Sequence, residues 1–369
     1  MKTKSFFLMM MVAVILSACS NDELPGEKET GHSNLVLKIQ GEKPAPASRN
    51  GSSATPNGES TINNLILFVF KSNGDNDIAP REYNTSTSTV NLQISTDASE
   101  VYVIANTAGN TDVRDALKAV TKKSDLQAIV GRGFNSDDSP TQSGTNLWMS
   151  GNSNISPSAN SNVKATVTLK YIPAKVRISA VTVDQGVNIK LSEVLVFNAG
   201  GATSFIPADN ATSLIPTFSV SAGTPFYISG VTMDGGWSSK PNTYGVNTAY
   251  KYTLTGDNTI TTGKNQHDFY VFENDGANSH FEEKPTIITL KATDNSNSKT
   301  VYYSVLFKMN TSNEGYDDQI IERGKDYNIT MTIKKLGTED PTIPAPQTTV
   351  EVTLTPASWQ TVTMDKTYQ

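Results

Sequence analysis

Apolar and polar residues alternate along most of this chain with a period of two, the signature of strands that bury one face. In SNLVLKIQG (33–41) Leu35, Leu37 and Ile39 fall on one side and Lys38 and Gln40 on the other, which predicts a first strand. TINNLILFVF (61–70) is a dense apolar run and predicts a buried strand; SNGDNDIAP (72–80) reads as a turn. STVNLQIS (88–95) and EVYVIAN (100–106) add two more strands. The period then changes: Val113, Leu117 and Val120 recur at helical spacing behind a cap at Thr111 or Asp112, and a second short turn gathers Leu126 and Ile129. The glycine- and serine-rich loop 131–146 is closed by Trp148-Met149-Ser150-Gly151. Alternation returns in VKATVTLKY (163–171).

Pro173 marks a boundary. Beyond it strands are predicted at 174–183, 190–197, 223–230, 250–254 and 267–273, with a hairpin of 285–293 and 300–308 across DNSNSK and a closing strand at 325–334. No βαβ alternation suggests a parallel sheet. The last stretch, TTVEVTLTPASWQTVTMDKTYQ (348–369), reads as two short strands broken at Pro356, set apart by the spacer PTIPAPQ. Such a strand pair on a stiff leash is expected to find its partner outside its own domain. The fold expected is mainly β, two β-sandwich domains in tandem with one or two short helices in the first. The divisions are 1–18, 19–49, 50–172, 173–337 and 338–369.

Composition changes this picture little. Hydrophobic residues make up 37%, and 30 Lys+Arg against 36 Asp+Glu give a mildly acidic chain without a basic block, which argues against a nucleic-acid partner. The N-terminus changes it more. Lys2 and Lys4 precede an apolar run from Phe6 to Leu16, and Leu16-Ser17-Ala18-Cys19 has the form of a lipobox. The run is shorter than the roughly 20 residues of a spanning helix. Cys19 is the sole cysteine, so no disulfide can form within one chain, and lipidation at Cys19 is expected to hold the precursor on a membrane. The first strand is followed by the loop EKPAPASRNGSSATPNGES, in which Arg49 is either one more solvated charge or a site of proteolytic nicking.

Catalytic chemistry finds little support. His32, His267 and His280 are the only histidines. His267 with Asp268, or His280 with Glu282 and Glu283, lacks the ligand spacing of a metal site. Asp137-Asp138 and Asp317-Asp318 read as solvated turns, and no P-loop or GxSxG occurs. No enzyme, cofactor or metal is expected.

The lipobox, TINNLILFVF, the Trp148–Gly151 loop, YIPAKVRI, FYVFENDGAN and the closing RGKDYNITMTIKKLG resemble, in order and spacing, the fimbrillins of Bacteroidales, the type V pilins. The tail with Pro356 and Trp359 resembles the C-terminal extension of their polymerising subunits. The resemblance implies transthyretin-like sandwiches, a lipoprotein precursor on the outer membrane surface, and an extracellular fimbrium that supports adhesion. It also implies an Arg-specific protease that cuts after Arg49, making Asn50 the new N-terminus and releasing the strand of Leu35, Leu37 and Ile39. Val350, Val352 and Leu354 of another copy would then fill the groove. The residues agree in one respect: both segments offer three aliphatic side chains at a spacing of two, worth about 5 to 9 kcal/mol when fully buried. Trp359 either anchors the donor or packs against its own strand pair. Implied partners are other copies of the chain, accessory subunits and host or bacterial surface ligands. Two alternatives stay open: an accessory tip or anchor subunit, and a lipoprotein that binds glycans through Trp237, Tyr244 and Tyr250.

Overall fold

The computed structural model describes residues 31–41, 59, 61–84, 88–135, 137, 139–206, 227–230, 248–274, 285–307, 320–344, 346 and 349–358. The first half contains β1 (His32–Gly41), β2 (Leu65–Lys71), β3 (Asn76–Tyr83), β4 (Thr89–Ser95), β5 (Ala98–Ala105), α1 (Thr111–Lys118), α2 (Lys123–Ala128), β6 (Val130–Arg132), β7 (Met149–Asn154) and β8 (Asn162–Tyr171). The second contains β9 (Ala174–Val183), β10 (Ile189–Phe197), β11 (Ala199–Gly200), β12 (Ala202–Ser204), β13 (Tyr227–Ile228), β14 (Lys251–Thr253), β15 (Phe269–Val271), β16 (Thr286–Asp294), β17 (Thr300–Phe307), β18 (Lys325–Ile333) and β19 (Val350–Ser358). The protein is mainly β, as the alternation implies.

In the first half the strand order is β3-β2-β5-β7-β8-β1-β4. This array folds over, so that Leu65, Leu67 and Val69 of β2 and Val101 and Val103 of β5 share one core with the inward residues of β1, β4 and β8. The fold-over needs a close crossing, and Gly151 of β7 supplies it: a Cβ there would stand 2.3 Å from the Thr168 carbonyl oxygen of β8. The outer edges approach too, since Asp77 of β3 accepts a 2.8 Å hydrogen bond from the Ser95 amide of β4. The opposite face of β2 carries Ile66, Phe68 and Phe70 into a second core with Val113 and Leu117 of α1 and Leu126 of α2. Burial on both faces is why β2 is an unbroken apolar run instead of an alternating one.

Asn110 caps α1, its side chain accepting from the Val113 amide at 3.1 Å, one residue before the expected cap. The expected turn at 72–80 is shorter than its composition suggests. Asn76–Tyr83 is a strand, β3, and its Pro80 is tolerated because β3 lies at the end of the strand order.

The second half stacks β14-β10-β16-β17 on β15-β9-β18-β19 around a core that includes Val176, Ile178, Val196, Leu290, Val305, Ile329 and Met331. β16 and β17 form the expected hairpin. Two pairings are parallel, β1 with β8 and β9 with β18, although no βαβ alternation in the sequence suggests a parallel pair. Each joins strands distant in sequence, so local pattern carries no trace of the direction.

Pro173 separates β8 from β9, yet the halves interlock. β12 pairs with β6 of the first half, and Trp148, fully buried, has its ring 4.9 Å from Phe205 and 5.7 Å from Phe272. Within the second half Arg323 braces β12, its guanidinium reaching Glu273 at 2.6 Å and the Ser204 carbonyl at 2.7 Å.

Candidate functional site

β1 is the first strand among the described residues and an interior strand in space. It runs antiparallel to β4 from His32↔Ser95 to Lys38↔Thr89, and parallel to β8 from Asn34↔Asn162 to Gly41↔Leu169. Leu35, Leu37 and Ile39 are 0%, 0% and 1% exposed. Val90, Leu92 and Ile94 of β4 and Ala165, Val167 and Leu169 of β8 belong to the same core. These six residues are the walls of the slot, and spacing alone did not single them out, because it shows an inward face and not which strand lies beside which. Further anchors run along β1: the Ser33 hydroxyl donates to the Ser158 carbonyl, Asn34 N to Ser161 O at 2.9 Å, and Ile39 N to Ser88 O at 2.9 Å. Removal of β1 would leave β4 and β8 each with an unpaired edge and a trough lined by aliphatic side chains.

The tail differs from expectation in two respects. Among its described residues it is one strand, β19, which continues through Pro356, and it is not detached: it pairs antiparallel with β18 from Ile333↔Val350 to Lys325↔Ser358. β19 is the end strand of its sheet, which leaves one side free of the ladder and so accommodates a proline. Val350 is 1% exposed and lies in the core of the second half; Val352 and Leu354 are half-buried against it. Glu351 on the outer face accepts from Lys334 at 2.6 Å, and this bond holds its carboxyl below the usual carboxylate range.

The proline-containing spacer is docked as well. The hydroxyls of Thr289 and Ser304 donate to the Pro341 carbonyl at 2.8 and 2.5 Å, and Thr338 bridges to Tyr302. The amides of Lys334 and Lys335 donate to the Thr349 carbonyl at 2.8 and 3.1 Å and close the excursion at its base. A segment that composition marks as a leash is held by buried threonine and serine hydroxyls on the outer face of β16 and β17.

Cys19, Arg49, Asn50 and Trp359 lie outside the described residues, as do Trp237, Tyr244, His280, Glu282 and Glu283. Tyr250, weighed as an exposed glycan-binding aromatic, is 4% exposed, and its hydroxyl donates to the Tyr270 carbonyl at 3.2 Å. His267 stacks on Tyr252 with ring centroids 4.7 Å apart, and burial lowers its pKa. Asp268 turns instead to Arg177, 3.1 Å away. Among the described residues no group of three His, Cys, Asp or Glu side chains is placed to hold a metal.

A mainly β body of two interlocked halves thus holds its first described strand in the interior of one and its last described strand at the edge of the other. The chain belongs to the FimA-like major fimbrial subunit family, whose C-terminal domain profile matches residues 165–359. It is a fimbrial subunit, structural or accessory, and its place is the cell-surface fimbrium. No curated protein matches it in sequence. Among solved structures it is similar to a candidate cell adhesion protein of Bacteroides eggerthii, 26% identical with a TM-score of 0.68, over 89% of this chain and 97% of that one. A fimbrilin of Porphyromonas gingivalis, 16% identical over 90% of this chain and 99% of that one, shares the fold with a TM-score of 0.60. So does a candidate cell adhesion protein of Parabacteroides distasonis, 17% identical over 89% and 100% of the two chains, with a TM-score of 0.62.

Proposed function

We propose that this chain is a polymerising fimbrial stalk subunit, exported as a lipoprotein through Cys19, activated by cleavage after Arg49, and joined head to tail by strand exchange that supports adhesion. One observation carries the reading: β1 fills an interior slot with Leu35, Leu37 and Ile39 fully buried, yet it is connected to β2 only through the stretch that contains Arg49. Once cut, β1 is held by noncovalent contacts alone.

Magnitudes favour exchange. Full burial of three aliphatic side chains stabilises by about 5 to 9 kcal/mol. On its own sheet β19 buries one of its three donor residues fully and two partly, and it pairs on one side only. In the slot of another copy the same Val350, Val352 and Leu354 would be fully covered and paired with both β4 and β8, so transfer from edge to interior gains burial and hydrogen bonds. Because the contact is heterologous it need not close, and repetition gives a filament.

The docking of β19 supports a second reading, an accessory subunit whose tail stays as its own edge strand. The two separate in one experiment. Full-length precursor treated with an Arg-specific protease is expected to lose residues 1–49 and to form ladders resistant to SDS. Monomers that persist after complete cleavage at Arg49 refute the stalk reading and leave the accessory one.

A further inference from the structure

Where the two halves meet, four buried charged side chains and a partly buried fifth gather together. Lys175 of β9 directs Nζ to both carboxylate oxygens of Glu59, at 3.2 and 3.1 Å, and to Asp326 Oδ2 at 3.2 Å. The three side chains are 2%, 0% and 7% exposed. Arg177 Nη2 stands 3.5 Å from the same Asp326 oxygen, and Asp268 faces Arg177. The Tyr270 hydroxyl donates to Glu59 Oε1 at 2.9 Å, and the Tyr171 hydroxyl to the Glu59 carbonyl at 3.1 Å. Lys175 and Asp326 are direct register partners on neighbouring parallel strands, so rigid backbone holds them face to face.

A buried lysine held against an aspartate with a second carboxylate alongside is a reactive arrangement as well as a stabilising one. We propose that Lys175 and Asp326 condense to an intramolecular isopeptide bond, with Glu59 as the proton carrier. The ammonium of Lys175 gives a proton to Glu59, and the freed Nζ attacks Asp326 Cγ. The guanidinium of Arg177 faces the oxygen on which negative charge grows. Glu59 then delivers its proton to the departing oxygen, which takes its second from the attacking nitrogen through the same carboxylate and leaves as water. The Nζ–Cγ bond forms and one Cγ–Oδ bond breaks; of the three ammonium hydrogens one stays on the amide and two leave in water. Glu59 is regenerated and no other reactant is consumed. The driving forces are those of the site: fixed proximity removes the entropy cost of meeting, and a neutral amide replaces two charges whose desolvation is costly.

Asp326, not Glu59, is the acceptor, because strand pairing fixes it opposite Lys175, whereas the Glu59 carboxylate is held by Tyr270 in the position of a shuttle. The product would tie the first strand of the second half to β18, the strand that carries β19. A cut after Arg49 removes none of the three residues, so the inference is independent of strand exchange.

Tryptic digestion of the purified full-length chain tests it. The bond blocks cleavage after Lys175, and the expected product is a branched peptide of residues 171–177 joined to 326–334, lighter by one water than the sum of its arms. On denaturing gels the wild type should migrate ahead of Lys175→Arg. Lys175→Arg and Glu59→Gln should both yield linear peptides, the second with the lysine and aspartate intact, while circular dichroism reports that each variant is folded. Full recovery of linear 171–175 and 326–334 from the wild type overturns the bond. A branched peptide that persists in Glu59→Gln overturns the role of Glu59, and a mass deficit that survives Lys175→Arg places the dehydration elsewhere and overturns the proposal.

Discussion

β1 and β19 carry the same pattern, three aliphatic residues at a spacing of two, and the fold treats them in opposite ways. β1 lies between two strands and has its three apolar side chains sealed. β19 lies at the end of a sheet with one of its three sealed. What differs is the number of neighbours: an interior strand is covered by side chains of both flanking strands and of the facing layer, an edge strand by fewer. The more tightly held segment is joined to the body through the stretch that contains Arg49, and the more loosely held one lies at a sheet edge. In the strand-exchange reading proposed above, that asymmetry suits a precursor that stays monomeric until it is cut.

The largest effect that separates the two strands is expected from a buried charge. Leu37→Asp places a carboxylate at a fully enclosed position and should abolish soluble, folded precursor, whereas Leu354→Asp should leave a folded precursor that fails to polymerise. Equal loss of folded protein from both, by circular dichroism and gel filtration, would erase the distinction between them. Milder changes grade it. Leu37→Ala should cost about 2 to 5 kcal/mol in urea unfolding and Val352→Ala less than about 1 kcal/mol. Val350→Ala, at the one sealed position of β19, should fall between them.

Removal of residues 350–369 should leave the first half, β1 included, as protected from hydrogen exchange as in the full chain, while the amides of β18 exchange faster. Loss of protection in β1 would mean that the halves fold as one unit. The smallest effect concerns pH. Because Lys334 lowers the pKa of Glu351, this bond supports the docked tail in full above the ordinary glutamate value and its support is lost as pH falls through the folded-state value. Amides of β19 should therefore exchange slightly faster on acidification, those of β1 should not, and Glu351→Gln should remove the difference.

Most of the strands were legible in the sequence because burial of one face imposes a period of two, and the helices because Val113, Leu117 and Val120 break that period. β3 was not legible, since its residues NDIAPREY have turn composition and only partial burial, and pairing with β2 is what extends them. The candidate slot was half legible. Leu35, Leu37 and Ile39 announce an inward face, but nothing local ties them to Val90 or Val167, because strand order is a matter of long-range pairing. The Lys175–Glu59–Asp326 cluster was not legible at all: three charged residues far apart in the chain look solvated until the halves close over them.

By itself, then, the sequence determined which residues face inward, where the helices interrupt the strands, and that two segments share one aliphatic spacing, because each of these follows from local periodicity. Only the tertiary structure decided that the first segment is interior and the last is an edge, that the spacer is docked, and that a lysine and an aspartate meet in a buried cluster. Those outcomes depend on which strands become neighbours, and neighbourhood is set by the closure of the whole chain.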